Sequence, residues 1–259
     1  LKDVQNQKDL RNISIDKVGI KGIVYPVVLD DKKKGRQHTN ASINMYVQLP
    51  HDFKGTHMSR FVEILNAHRD NMGISSVWAI LEDMKERLES DEAHIELFFK
   101  YFIEKQAPVS GMTSMMDYTC EYSASLVNNE RDFMLCVKVP VMTLCPCSKE
   151  ISEFGAHNQR SIITIKVRFK KMLWIEELIQ IAESSASSPI YPLLKREDEK
   201  YVTEHSYMNP AFVEDVVRSA AEKLMAENRI TWFEVSSENF ESIHNHSAYA
   251  VIVRDKRAE

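Results

Sequence analysis

Glycine is scarce in this chain: seven occur among 259 residues, against an average usage of ~7 %, and none follows Gly155. Neither G-x-G-x-x-G nor G-x-x-x-x-G-K occurs. A Rossmann fingerprint and a P-loop are therefore excluded as motif routes to nicotinamide cofactors or nucleotide hydrolysis. No apolar run approaches the ~18 residues that span a bilayer, so no membrane partner is expected. A basic excess is missing too: 33 Lys and Arg face 38 Asp and Glu, a formal charge of −5. Nucleic acid as main partner would favour a basic stripe, and none is expected here. The densest basic run, Lys32-Lys33-Lys34-Gly35-Arg36, reads as a solvated hairpin tip. Cysteines number four. Cys120 and Cys136 fall on alternating apolar stretches and read as small core hydrophobes. Cys145-Pro146-Cys147 does not have the spacing of a secreted disulfide framework. The polar start shows no signal-peptide pattern, and a reducing cytoplasm is expected.

What is present is an ordinary globular composition, 44 % hydrophobic and 27 % charged, on a length that suits one large domain or two of ~130 residues. Ile23 to Leu29 is β-rich, and Ala41, Ile43, Met45, Val47 and Leu49 alternate with polar residues up to Pro50. Two helical patterns follow, with Phe61, Ile64 and Leu65, then Val77, Ile80, Leu81, Met84 and Leu88 at spacings of three and four. Strands are expected around 93–103 and 118–127. The turn Asn128-Asn129 restarts the same order: alternating strands at 133–139 and 163–169, helical patterns at 174–186 and 211–228, and closing strands near 230–235 and 248–253. Asn209-Pro210 reads as the N-cap and first position of the last helix. The class is α+β, antiparallel sheets covered on one face by helices. A lead-in (1–20) precedes two fused β-β-α-α-β-β modules, 21–129 and 130–259, the second carrying most of the chemistry.

Thr143 to Ser161 breaks the alternation and holds two cysteines and a histidine. Cys145 and His157 are twelve residues apart, so a looped connection can bring thiolate and imidazole to one metal; zinc takes such ligands at ~2.0–2.3 Å. The other reading is a polar loop with incidental cysteines, because C-x-C with one His matches no strong zinc template. Glu241-Ser242-Ile243-His244-Asn245-His246 places two histidines on one face only if extended, and surface loops commonly hold histidines. Arg196-Glu197-Asp198-Glu199-Lys200 reads first as a solvated charge run in a long irregular connection. Glu214 near the start of the last helix suits the helix dipole.

Taken together these residues resemble the signature of type IB GTP cyclohydrolase I. The resemblance rests on Cys145-Pro146-Cys147-Ser148-Lys149-Glu150-Ile151-Ser152 with Gly155-Ala156-His157-Asn158-Gln159-Arg160-Ser161. It rests equally on Lys54-Gly55-Thr56-His57-Met58-Ser59-Arg60-Phe61, Asp198-Glu199-Lys200, Asn209-Pro210-Ala211-Phe212-Val213-Glu214-Asp215 and the Glu241–His246 string. These segments run in family order from about residue 18 to the C-terminus. The resemblance implies a tunnelling fold of two fused modules, a homotetramer with active sites at subunit interfaces, and conversion of GTP and water to 7,8-dihydroneopterin triphosphate and formate. That product feeds folate and the 7-deazaguanine (queuosine) bases.

By the same resemblance Cys145, His157 and Glu199 are the metal residues, with Cys145 catalytic as well, and Glu241 and His244 lie close by. Cys147 is the catalytic thiol and Glu214 holds the guanine. Each role has a chemical reason. Thiolate, imidazole and carboxylate suit a divalent metal with an open position for water, zinc first, manganese or iron also. Histidine exchanges protons near neutral pH, which suits His244 to proton transfer. A carboxylate matches the parallel donors N1–H and 2-NH₂ of guanine. His57, Ser59, Arg60, Lys149 and Arg160, some from a neighbouring subunit, are the expected triphosphate contacts. Two other chemistries were open on these residues: a nitrile reductase of the same fold, which also pairs a cysteine with a glutamate that holds a guanine-like ring, and a non-catalytic protein with a structural metal. An archaeal relative that uses ferrous iron and stops at a cyclic phosphate was a third outcome.

Overall fold

The computed structural model describes residue 5 and residues 7–257. The chain divides into two compact units. One runs to Lys100 and takes in Glu121–Met134; the other comprises Tyr101–Cys120 and the chain from Leu135 onward.

In the first unit β1 (Ile15–Asp31) and β2 (Gly35–Leu49) form an antiparallel hairpin. Its tip is set locally: the Asp31 carboxylate accepts from the backbone N–H of Lys33 at 2.8 Å and of Lys34 at 2.7 Å, and Gly35 takes φ 79°. Such a side-chain-to-backbone turn leaves the lysines pointing to water. β1 begins at Ile15, well before the β-rich run at Ile23. Its early residues are exposed or half-buried, so they carry no alternation for a pattern to detect. The early lead-in positions 1–4 and 6 lie outside the described residues.

Helices α1 (Met58–His68) and α2 (Val77–Leu88) bury the apolar stripes that the spacing predicts, Phe61, Ile64 and Leu65 on one, Val77, Ile80, Leu81, Met84 and Leu88 on the other. Ile43, Met45 and Val47 of β2 and Ile95 and Leu97 of β3 (Glu92–Gln106) are buried as well. β4 (Thr113–Val127) and β5 (Glu130–Leu144) follow. Phe99, Tyr122, Phe133 and Trp78 pack edge-on or tilted, with ring centroids 4.8–6.3 Å apart. Aromatic pairs at such separations stabilise beyond their area.

In the second unit β5 pairs with β6 (Asn158–Phe169), β6 with β8 (Ile230–Asn239), and β8 with β9 (Ala248–Asp255). The full strand order is β1-β2-β3-β4-β5-β6-β8-β9, with the two-residue β7 (Ser188–Pro189) paired to β5. β1–β2, β2–β3, β5–β6, β5–β7, β6–β8 and β8–β9 pair antiparallel, in keeping with the α+β class. α4 (Ile175–Glu183) and α6 (Val213–Ala226) cover this part of the sheet with Leu178, Ile179, Val216, Val217, Ala220 and Leu224. Cys120 and Cys136 are buried.

Three local expectations change. The charge run from Arg196 is the first turn of a helix, α5 (Arg196–Met208), rather than an irregular connection. Only Asp198 and Ser206 of α5 are buried, so no apolar stripe marks it. Asn209 caps the end of α5 instead of starting α6, whose N-cap is Phe212. The reason is a tether: Ala211 N–H donates to the Leu144 carbonyl at 3.1 Å, which holds 209–211 out of a helix. Finally, α3 (Pro146–Ile151) follows β5 directly and is too short for any periodic signal.

Candidate active site

β5 ends at Leu144, and the chain turns into α3 at Cys145-Pro146. Proline at the first helical position sacrifices no hydrogen bond there. Cys145 is the N-cap: its sulfur accepts from Ser148 N–H at 3.4 Å. Its own N–H donates to the His157 carbonyl at 3.1 Å, and Ser148 Oγ accepts from His157 N–H at 3.2 Å. Three bonds therefore hold Cys145 and His157 side by side across the 145–157 loop. Cys145 is half-buried and Cys147 exposed, so the two thiols face different surroundings.

His157 Nδ1 lies 3.1 Å from Gln159 Oε1 and 3.9 Å from Glu241 Oε2. His157 and Glu241 are both largely buried, each side chain 14 % exposed. Glu241 is delivered by the loop after β8, which is fixed to β6 by Phe240 N–H donating to the Arg160 carbonyl at 3.0 Å. His244 N–H donates back to the Glu241 carbonyl at 3.2 Å, and the His244 and His246 rings stack 5.0 Å apart. Cys145, His157, Glu241 and the His244 loop thus meet at one end of β5, β6 and β8, in the second unit.

Glu199 and Glu214 stand on neighbouring helices of the same unit. Both side chains are exposed, Glu199 in the first turn of α5 and Glu214 in that of α6. The start of α5 is anchored by its buried neighbour Asp198. That carboxylate accepts from Val109 N–H (2.9 Å), Ser110 N–H (2.8 Å), Ser110 Oγ–H (2.6 Å) and Lys195 N–H (2.8 Å). Burial by itself would raise the pKa of Asp198. The hydrogen bonds from Ser110 Oγ, Lys195, Ser110 N and Val109 outweigh it and hold the carboxyl well below the usual range. Lys149 Nζ donates to the Tyr207 carbonyl at 2.6 Å and sits 4.4 Å over the Tyr207 ring, so this expected phosphate contact docks α3 on the end of α5. Arg160 is exposed on β6.

The remaining expected phosphate contacts belong to the first unit. His57 is the N-cap of α1, Ser59 is exposed, and Arg60 donates to the Arg87 carbonyl at 2.6 Å with Glu89 at 3.8 Å. His57 and Arg60 line one small cleft with Leu49, Phe53 and Glu89.

Thiolate, imidazole and carboxylate are donor types that a borderline divalent cation accepts, and Cys145 and His157 are already neighbours, so the donor chemistry fits a metal. Among the described residues, no three His, Cys, Asp or Glu side chains come together as a metal-holding group. Glu199 is therefore not gathered with Cys145 and His157. Two residues with site roles carried no signal of their own in the sequence, Gln159 and Asp198. Their parts lie in hydrogen bonds that only the fold brings about.

The architecture and the site's chemistry together define a class. The fold is shared with uricases. One from Bacillus fastidious superposes with TM-score 0.58 at 8 % identity, covering 96 % of this chain and 94 % of that one. One from Arthrobacter globiformis gives 0.57 at 7 % identity, covering 92 % and 93 %. The molecule is a tunnelling-fold protein in which Cys145 is tied to His157 and Glu241 approaches the imidazole at one sheet end. A family model described as type I GTP cyclohydrolase FolE2 matches residues 1–250. GTP cyclohydrolase FolE2 of Geotalea uraniireducens is 62 % identical over 257 residues, 99 % of this chain and 94 % of the relative. The protein of that name from Syntrophus aciditrophicus is 58 % identical over 253 residues, 98 % and 99 %. The chain belongs to the GTP cyclohydrolase FolE2 family, which favours the cyclohydrolase over the nitrile reductase of the same fold.

Proposed function

We propose that this GTP cyclohydrolase converts GTP and water to 7,8-dihydroneopterin triphosphate and formate, on a site centred on the Cys145–His157 pair. The observation that carries the reading is that pair, locked by three hydrogen bonds, with Glu241 3.9 Å from the imidazole.

Glu214 binds guanine through N1–H and the 2-amino group, a donor pair that adenine lacks. Water adds at C8, the imidazole ring opens to a formamide, and a second hydrolysis releases formate before the ribose rearranges and closes the pterin ring. Cys147, exposed beside Cys145, provides the thiol at C8. His244 carries protons in these steps, and Glu241 orients the imidazole and the substrate. Cys145, His157 and Glu199 are the residues that would hold a divalent metal, zinc in preference to manganese or iron; when bound it supplies Lewis acidity toward water. His57, Ser59, Arg60, Lys149 and Arg160, some of them from a neighbouring subunit, receive the triphosphate, and Arg60 and Lys149 must exchange a carbonyl partner for phosphate.

The two modules, 21–129 and 130–259, assemble as a homotetramer with active sites at subunit interfaces, in the cytoplasm, ahead of folate and queuosine synthesis. Within the described residues no helix is long and apolar enough to cross a membrane. The test is incubation of metal-reconstituted protein with GTP. Formate and 7,8-dihydroneopterin triphosphate, read as a fluorescent pterin after oxidation with added iodine, are expected in equal amounts; a pterin without formate, or neither, refutes the reaction.

A further inference from the structure

Beyond the residues assigned above lies a buried polar chain that no step of the reaction uses. Gln159 and Thr143 are cross-strand partners on β6 and β5. Gln159 is 7 % exposed, and Thr143 and Ser161 are fully buried. Gln159 Nε2 donates to Thr143 Oγ1 at 2.9 Å, and Thr143 Oγ1 and Ser161 Oγ are 2.8 Å apart. With its NH₂ end engaged on Thr143, the amide turns its oxygen to His157 Nδ1 at 3.1 Å. A carbonyl oxygen can only accept. The His157 nitrogen that faces it must therefore carry the proton. Glu241 argues the same way independently, because a carboxylate 3.9 Å from Nδ1 favours a proton on that nitrogen over a lone pair.

We propose that Gln159 is a positioning residue that holds neutral His157 as the Nδ1–H tautomer, so that Nε2 presents its lone pair to the electrophile of the site. The inference rests on the reading of His157 as a ligand for a divalent metal. The partner of one imidazole nitrogen fixes which nitrogen is free to bind. Here the partner is a neutral amide, held in turn by a buried hydroxyl pair. The backbone of His157 is pinned at both its N–H and its carbonyl, so the ring has little freedom except rotation about its side-chain bonds. The amide removes that freedom and selects the tautomer together.

The opposite arrangement has the amide flipped: NH₂ donating to Nδ1, and Thr143 Oγ–H donating to the amide oxygen. It places the imidazole proton on Nε2, where it blocks binding. The two arrangements are distinguishable in the metal-free protein. Long-range ¹H–¹⁵N spectra of histidine-labelled full-length chain, at a pH where the ring is neutral, read the tautomer directly, His157 being assigned by its loss in His157→Asn. Wild type is expected to show a pyrrole-type Nδ1 and a pyridine-type Nε2. Gln159→Leu is expected to move the ring toward the Nε2–H form, and Gln159→Glu, which restores an acceptor, to return it. Thr143→Val leaves His157 and Gln159 in place but removes the hydroxyl that orients the amide, and is expected to shift the ratio in the same direction as Gln159→Leu. In a second readout, Co²⁺ affinity should fall ~10-fold in Gln159→Leu and recover in Gln159→Glu.

An Nε2–H ring in wild type, or a tautomer ratio unchanged in both Gln159→Leu and Thr143→Val, overturns the proposal. A His157→Asn variant that binds Co²⁺ as tightly as wild type instead overturns the reading of His157 as a ligand, and with it the metal-presenting role, whatever the tautomer.

Discussion

Two thiols separated by one proline meet different fates because α3 begins between them. Cys145 closes the helix start, its sulfur already accepting an N–H and its backbone tied to His157. Cys147 sits in the helix and faces outward. Proline limits the backbone freedom that both sulfurs would need to reach one ion. Cys145→Ala should therefore lose both bound zinc and turnover, whereas Cys147→Ala should keep zinc near one per chain and lose turnover alone; elemental analysis with a formate assay reads both, and the reverse pattern would exchange the roles. Glu214 gives a sharper test of specificity. Replacing it with Gln presents a donor to one of guanine's donors, and a mismatched polar pair costs ~1–3 kcal/mol, or about 5–150-fold in kcat/KM. Zinc content should stay at wild type, and undiminished turnover of GTP would remove Glu214 from the guanine site. Cys145, Cys147 and Glu214 were legible only as candidates, through the family resemblance of their strings; by type and spacing alone the cysteines also read as a polar loop and Glu214 as a helix-dipole partner. Gln159 and Asp198 were not. An amide or a carboxylate in a polar string looks like solvent-facing surface until the fold surrounds it with donors.

α5 shows how an element can be fixed by one buried polar side chain instead of an apolar face. Its first turn is held by Asp198, which draws the turn at Val109–Ser110 onto the N–H of Lys195. The alternation of Ala41 to Leu49 and the three-and-four spacing of Val77 to Leu88 made β2 and α2 readable, because burial of those side chains is what forms them. α5 has no such stripe, and the exposed start of β1 has no dry face, so neither could be bounded from pattern alone. The anchor also makes α5 sensitive to acid. The pKa of Asp198 is depressed in the folded chain, so the stability it contributes is present above the unfolded value of ~3.9 and is lost as pH falls from there toward the folded value. Asp198→Asn removes this contribution at neutral pH by turning an NH₂ toward donors. Urea unfolding at pH 7, 4 and 3 should show wild type more stable at pH 7, with the gap to the variant closing on acidification. A gap that stays constant or widens as the pH drops would show that the carboxylate's charge does not hold the turn.

At the scale of the whole molecule, the proposed homotetramer has to cover a sheet edge, and the last strand is the one to test. β9 pairs with β8 alone. Its outward side presents Tyr249, Val251 and Val253 at 61 %, 47 % and 45 % exposure, an apolar row on an edge that offers unpaired backbone groups. Natural sheets protect such edges with charge, proline or a bulge unless another chain covers them. β9 has none of these between Ala248 and Val253, whereas β1, at the opposite end of the strand order, carries Lys17 and Lys21 and shifts register between Ile20 and Ile23. The contrast marks β9 as the covered edge in the proposed homotetramer. Val251→Lys with Val253→Lys places two charges on the row by changing exposed side chains only, leaving the backbone pairing of β9 with β8 available. The variant should keep the far-UV spectrum and melting temperature of a folded subunit, sediment as a smaller species than wild type, and lose GTP turnover in proportion to the lost assembly, since sites shared between subunits need both. A variant that sediments like wild type would show that β9 is not an assembly edge. A dissociated variant with full turnover would show that each site is complete within one chain.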